Sequence, residues 1–166
     1  MAAKTQSPEA SAAVQIVDFD NEHAADFKRL NVQWITQHWV LEAADFKALD
    51  APKDYILDRG GAILIALLQE RPVGTVALLP HDAATLELAK MAVCPTAQGK
   101  GIGLALASAA IDRAATMGAG RVYLETNTIL EPALALYQKL GFSEVLEAQE
   151  PSPYERCNLR MEKMLT

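Results

Sequence analysis

The sequence predicts an α/β domain in which a mixed sheet is flanked by helices, and three observations carry that expectation. Two apolar runs, 62–69 and 73–79, are separated by the turn-forming Glu70-Arg71-Pro72. From residue 85 onward, strand-like and helix-like segments alternate. The helical segments of that second half end on Gly118 and Gly141, where the residue just past a helix is commonly glycine. A hairpin followed by alternating strands and helices builds a mixed sheet with helices packed on it.

Each element has a local reason. A first strand is expected over 14–19, before Asp20-Asn21, whose side-chain oxygens suit the free N–H groups of a first helical turn. Helical segments are expected over 24–39 and 42–59, the second interrupted near Pro52, because proline removes a donor and clashes with the preceding turn. Gly60-Gly61 closes this section. The hairpin follows, then a polar break at His81-Asp82 and a third strand over 85–93. A helix over 104–117 comes after a glycine-rich turn, followed by a strand over 121–126. Pro132 suits the first turn of the next helix, which ends at Gly141 before a terminal strand pair beginning at 143–146.

Composition narrows the function. Residues 13–166 are enough for one domain with a real core, and residues 1–12 read as a flexible tail without the apolar centre of a secretory signal. Cys94 and Cys157 form neither a disulfide framework nor a metal-ligand spacing, and His23, His38 and His81 add none. No metal is therefore expected, and a reducing, cytoplasmic setting is. No run approaches the ~20 apolar residues of a membrane span. A net charge of −6 argues against nucleic acid and favours cationic partners such as amines.

The most informative stretch is Gln98-Gly99-Lys100-Gly101-Ile102-Gly103, between a strand and a helix. Glycines there let the backbone approach a ligand, and the free N–H groups of the helix's first turn face a phosphate or pyrophosphate. A nucleotide P-loop is a poor fit because Gly101, not a hydroxyl residue, follows Lys100. A dinucleotide fingerprint is equally poor, since Leu104 stands where its third glycine belongs. The segment resembles the Q/R-x-x-G-x-G/A motif of the GNAT superfamily of acyl-CoA-dependent N-acyltransferases, through Gln98, Gly101 and Gly103. A glycine-rich turn that binds nothing is the bland alternative.

A second stretch strengthens the resemblance. Ala133, Leu136, Tyr137 and Leu140 fall at helical spacing before Gly141-Phe142, and A-x-x-L-Y-x-x-L-G-F is similar to the second GNAT motif. The resemblance covers about 63–164. One departure is that the family often has asparagine three residues before the alanine, where this chain has Leu130, with Asn127 a candidate substitute.

The resemblance implies a mostly antiparallel sheet, splayed where acyl-CoA enters between the strands 85–93 and 121–126. It implies that backbone groups of Met91, Ala92 and Val93 meet pantetheine as an added strand would. The pyrophosphate falls on Gln98, Gly99, Lys100, Gly101, Ile102 and Gly103, with Lys100 either at a phosphate or in solvent. Glu87 occupies the position of a catalytic glutamate in one branch of the family, where it would take a proton from the incoming ammonium. A glutamate paired with Lys90 or a surface cation is the alternative there. Tyr137 lies on an apolar stripe and reads as a core aromatic by spacing alone, while the family places this tyrosine beside the thioester sulfur. A thiol at about 8.5 and a phenol at about 10 make full proton transfer uphill by about 2 kcal/mol, so a strong hydrogen bond to the departing thiolate is the more defensible role. Acceptor contacts are expected from Trp34, Trp39, Glu42, Tyr154 and Arg156, with His38, Asp45 and Asn158 nearby in the same segments. Aromatic rings and acids would suit an amine.

The leading expectation is an enzyme that moves acetyl from acetyl-CoA to a primary amine of a small molecule by direct attack, since neither cysteine lies in a motif's reactive position. An acetyltransferase acting on a protein N-terminus or lysine, and a non-catalytic acyl-CoA sensor, are the alternatives. A homodimer is compatible with any of them.

Overall fold

A computed structural model describes residues 13–146 and 151–166. The expected tail over 1–12 lies outside the described residues. A seven-stranded sheet runs in the order β1-β2-β3-β4-β5-β7-β6. Its strands are β1 (Gln15–Asp18), β2 (Ala62–Leu68), β3 (Arg71–Asp82), β4 (Thr85–Val93), β5 (Arg121–Thr126), β6 (Ser143–Glu144) and β7 (Leu159–Met164). The helices are α1 (Ala24–Ile35), α2 (Ala43–Asp50), α3 (Ile102–Thr116) and α4 (Glu131–Lys139). All neighbouring strands are antiparallel except β4 and β5. The mixed, mostly antiparallel sheet flanked by helices is thus the fold the sequence implies.

Strand alternation sorts the core onto the two faces of the sheet. Along β2, Leu64 and Ala66 join β3's Val76 and Leu78 against α3, where Ile102, Leu106, Ala110 and Ala114 are buried. Ile63 and Ile65 face the other way, onto Phe27 of α1, Ala48 and Leu49 of α2, and Ile56. The alanines on the inner face of α3 let that helix lie close to the sheet. Each large aliphatic side chain so buried contributes about 1.5–3 kcal/mol.

Several boundaries differ from the sequence-based expectation, each for a visible reason. α1 stops at Ile35 rather than at 39: Thr36 N–H and Oγ1 both donate to the Val32 carbonyl, at 3.0 and 2.7 Å, and the next N–H groups, of Gln37 and His38, reach back three residues to Trp34 and Ile35 instead of four. The β2–β3 turn is Gln69-Glu70, both at positive φ, with Leu68 paired to Arg71, so the loop has the two-residue form suited to a hairpin. Pro72 therefore lies inside β3, at a shift in register opposite Ala66 and Leu67 that absorbs its missing donor. β3 also runs on through His81-Asp82 instead of breaking there, with Pro80 lying past the last residue that β2 pairs. The 42–59 segment divides near Pro52 as expected, into α2 and a short wider-wound turn over Lys53–Leu57. β6 covers only Ser143–Glu144.

Two features of β4 open the site. A register shift opposite Thr75 and Ala77 puts an extra residue into β4, and Lys90 at that point has φ +52. On its other edge, β4 pairs with β5 only at Thr85, Leu86 and Glu87, after which the strands diverge. The closed end of this seam is laced by Gly120 and Arg121 N–H groups donating to the Ala84 carbonyl and by Arg121 Nε donating to Thr85 Oγ1 at 3.0 Å. Past it, one edge of β4 is left without a strand partner.

Candidate active site

The gap between β4 and β5 continues into a cavity of about 680 Å3 that runs from the start of α3 to the end of α1. Met91, Ala92 and Val93 line it along the freed edge of β4. At one end it meets the glycine-rich turn, where Gln98, Gly99, Gly101, Ile102 and Gly103 line it and Lys100 does not. Gln98 Nε2 donates to the Val93 carbonyl at 3.2 Å, tying the turn to the end of β4. Gly101 caps α3 with φ +78, a conformation that any residue with a Cβ adopts only with strain. A Cβ at Gly103 would meet only Leu136 Cδ2 at 3.7 Å, so the space there is open in the protein itself. Open glycines at the first turn of a 15-residue helix form a cradle that fits a pyrophosphate.

In the middle of the cavity stand Glu87, Tyr137, Cys157 and Glu125. Burial pushes the Glu87 carboxyl up to about 7, and the neighbouring Glu125 charge adds to the shift against the opposing pull of Lys90 and Arg160. The expected alternative of a Glu87–Lys90 pair is absent among the described residues, because Lys90 is bound to Asp45. Glu125 is held by Tyr123 Oη at 2.7 Å, Ser152 Oγ at 2.6 Å and Arg160 Nε at 3.3 Å, which fixes its charge beside Glu87. Tyr137 is buried, edge-on to Phe142 at 5.8 Å between ring centroids. Its hydroxyl has no hydrogen-bond partner among the described residues, and burial pushes its pKa up to about 12. Tyr137 is therefore both a core aromatic and a cavity residue.

The far end holds the residues expected to meet an acceptor. Trp34, His38 and Trp39 line it, with the two indoles 6.1 Å apart, as do Tyr154 and Arg156. Glu42 does not line the cavity: its carboxylate accepts from Arg156 Nη1 at 3.1 Å and from the Glu155 N–H at 2.8 Å. Asp45 is fully buried behind the wall. It accepts from Lys90 Nζ at 2.8 Å, from Arg156 at 2.6 and 2.8 Å, and from the Glu42 N–H at 2.8 Å. Burial alone would raise its carboxyl, but the bonds from Arg156 and Lys90 outweigh it and hold the pKa at about 2. The two acids expected to attract an amine are thus spent on two cations. Asn158 lies outside the cavity and bonds to Thr128. Asn127 does line it, with both ends of its amide engaged, to the Arg156 carbonyl at 2.7 Å and the Ile129 N–H at 2.9 Å.

Sequence reasoning missed Lys90, Glu125 and Cys157 as cavity residues. The alternation of β4 and β5 could have placed Glu87 and Glu125 in the same gap, whereas nothing local marks Lys90 or Cys157.

A splayed sheet with a glycine cradle at a helix N-terminus and a buried carboxyl midway defines a class of α/β domain built to receive an extended, phosphate-bearing ligand between two strands. The chain belongs to the acetyltransferase (GNAT) family, whose model matches residues 17–142. It is 38% identical over 88 residues to an uncharacterized N-acetyltransferase of Escherichia coli K12, YjgM, a match that covers 53% of each chain. The chain spans about half the length of the curated relatives it matches. In fold it resembles an acetyltransferase of the GNAT family from Staphylococcus aureus Mu50, at a TM-score of 0.84 and 20% identity, covering 93% of this chain and 100% of that one. It also resembles yncA of Salmonella typhimurium, solved with its cofactor acetyl-CoA, at a TM-score of 0.72 and 18% identity over 93% of this chain and 95% of that one.

Proposed function

We propose that the protein transfers acetyl from acetyl-CoA to a primary amine of a small-molecule acceptor. The observation that carries the reading is one continuous cavity joining the glycine cradle to Glu87 and Tyr137. When bound, acetyl-CoA supplies an acetyl group on a thioester that a neutral amine attacks directly. The N–H groups at the start of α3 hold its pyrophosphate, and the freed edge of β4 at Met91, Ala92 and Val93 takes its pantetheine amides as a strand would.

Glu87 takes the proton from the acceptor ammonium. A carboxyl at about 7 is half ionised near neutral pH, and its conjugate acid is a better match to an amine than an exposed glutamate would be. Tyr137 donates a hydrogen bond to the departing sulfur. A phenol pushed up to about 12 is a weak acid, so its part is a hydrogen bond to the developing thiolate rather than full proton transfer. Cys157, pushed up to about 11 by burial, is almost wholly protonated and is not a nucleophile in this reading.

Thermal unfolding tests the ligand. Acetyl-CoA at ~100 times its dissociation constant adds about 2.7 kcal/mol of stability. Thiol release with amines tests the reaction. A shift with ATP or NAD but none with acetyl-CoA removes the reading.

A further inference from the structure

The acceptor end of the cavity is built around two cations rather than around acids. Lys90 Nζ lies 4.6 Å and Arg156 Cζ 4.5 Å from the centroid of the Tyr154 ring, and Asp45 and Glu42 balance them from behind. Among the described residues their donors are not exhausted. An ammonium has three N–H groups, and Lys90 uses one on Asp45 and one on Tyr154 Oη at 3.0 Å. A guanidinium has five, and Arg156 uses three on Glu42 and Asp45. Because Tyr154 Oη accepts from Lys90, its own proton must go elsewhere, and among the described residues it has no acceptor. All three side chains line the cavity, and those of Lys90 and Arg156 are only 6% and 11% exposed.

Donors left over at the cavity surface are met by water or by an acceptor that a ligand brings, and a charged acceptor makes the stronger bonds. The charges around them say what kind of ligand fits. Lys90 and Arg156 cancel Asp45 and Glu42, and Arg160 cancels Glu125, which leaves Glu87, among the described residues, as the one carboxyl in the cavity without a cation of its own. A simple amine would give Glu87 a partner and leave the free donors to water. A polyamine would bring several positive charges with only Glu87 to meet them. A molecule with one amine and one carboxylate meets both, its amine at Glu87 and its carboxylate at the free donors of Lys90, Arg156 and Tyr154.

We infer that the acceptor is an amino acid or a similar small zwitterion, its carboxylate held by Lys90, Arg156 and Tyr154 and its amine beside Glu87. Trp34 and Trp39 give the wall that an apolar or aromatic side chain would cover. This rests on the acetyl-transfer reading above and adds the acceptor's class.

The test is thiol release from acetyl-CoA with the common L-amino acids, and for each one turned over, its decarboxylated amine and its amide, with spermidine alongside. The free amino acid should exceed both derivatives about tenfold or more in kcat/KM, because the decarboxylated amine brings no acceptor to these donors and the amide brings one neutral carbonyl in place of a carboxylate. Tyr154→Phe should shrink that ratio chiefly through KM. Equal or better turnover of the decarboxylated amine or of spermidine overturns the inference. Calorimetry of the same compounds on the protein saturated with CoA separates this inference from the catalytic one. Amino acids that bind more tightly than their decarboxylated amines, without any acetyl transfer, would remove catalysis and keep the subsite. No difference in binding and no transfer to any amino acid would remove the subsite.

Discussion

Replacing Glu87 by Gln tests the site's electrostatics through stability as well as rate. Glu87 moves from an ordinary 4.5 to about 7 because burial and the Glu125 charge disfavour its ionised form. A carboxyl raised in the folded state leaves the fold most stable below about 4.5, where it is protonated folded or unfolded. That stability is lost as pH rises toward 7, because the unfolded chain ionises first. The shift of about 2.5 units corresponds to about 3 kcal/mol. Gln has the shape and no charge, so Glu87→Gln should match wild type near pH 4 and exceed it by about 3 kcal/mol near pH 8. For a domain of this size that is roughly 6–12 °C in Tm. Melting curves at several pH values read the difference directly. Turnover should move oppositely: wild type gains rate with an inflection near 7, and the variant loses both rate and inflection, the loss being smaller at high pH where more acceptor is neutral. A Tm difference that is the same at pH 4 and pH 8 would refute the assignment of a buried, uncompensated carboxyl.

Other expectations follow from individual contacts. Tyr137→Phe removes a hydroxyl without a partner among the described residues, so stability should stay within about 0.5 kcal/mol of wild type while turnover falls about ten- to a thousandfold at unchanged acetyl-CoA affinity. Gly103→Val should fold normally, since its Cβ meets only Leu136, and should lose acetyl-CoA binding in calorimetry. Lys100→Ala, outside the cavity, should change binding by less than about 1 kcal/mol. Asp45→Asn leaves Lys90 and Arg156 buried without their shared anion, and denaturant unfolding should show a loss of about 3–5 kcal/mol.

The parts of this protein readable from its sequence are those fixed by neighbours along the chain. Strands β4 and β5 fall on the expected residues because turn-forming sequences bound them, and the glycine turn with the Tyr137 helix follows local spacing. The end of α1 was not readable, because apolar spacing continues to Trp39 and the change from four-residue to three-residue backbone bonds at Gln37 and His38 leaves no mark in that spacing. The bulge at Lys90 has no local signature either, since lysine is an unusual choice for φ +52. Least legible was the charge cluster. Asp45 finds Lys90 45 residues away and Arg156 111 residues away, so its acid looked available until the fold brought its partners together.

The short seam between β4 and β5 has a consequence for how the molecule breathes. Three residue pairs join the β1–β4 half of the sheet to the β5–β7–β6 half. The halves are therefore natural units of local opening, hinged at the laced end near Ala84 and Arg121. A ligand lying in the gap bonds to one half and packs on the other, so it acts as a missing rung. Amide hydrogens of β7 on the far side of β5, distant from any ligand contact, should then exchange more slowly once the gap is filled.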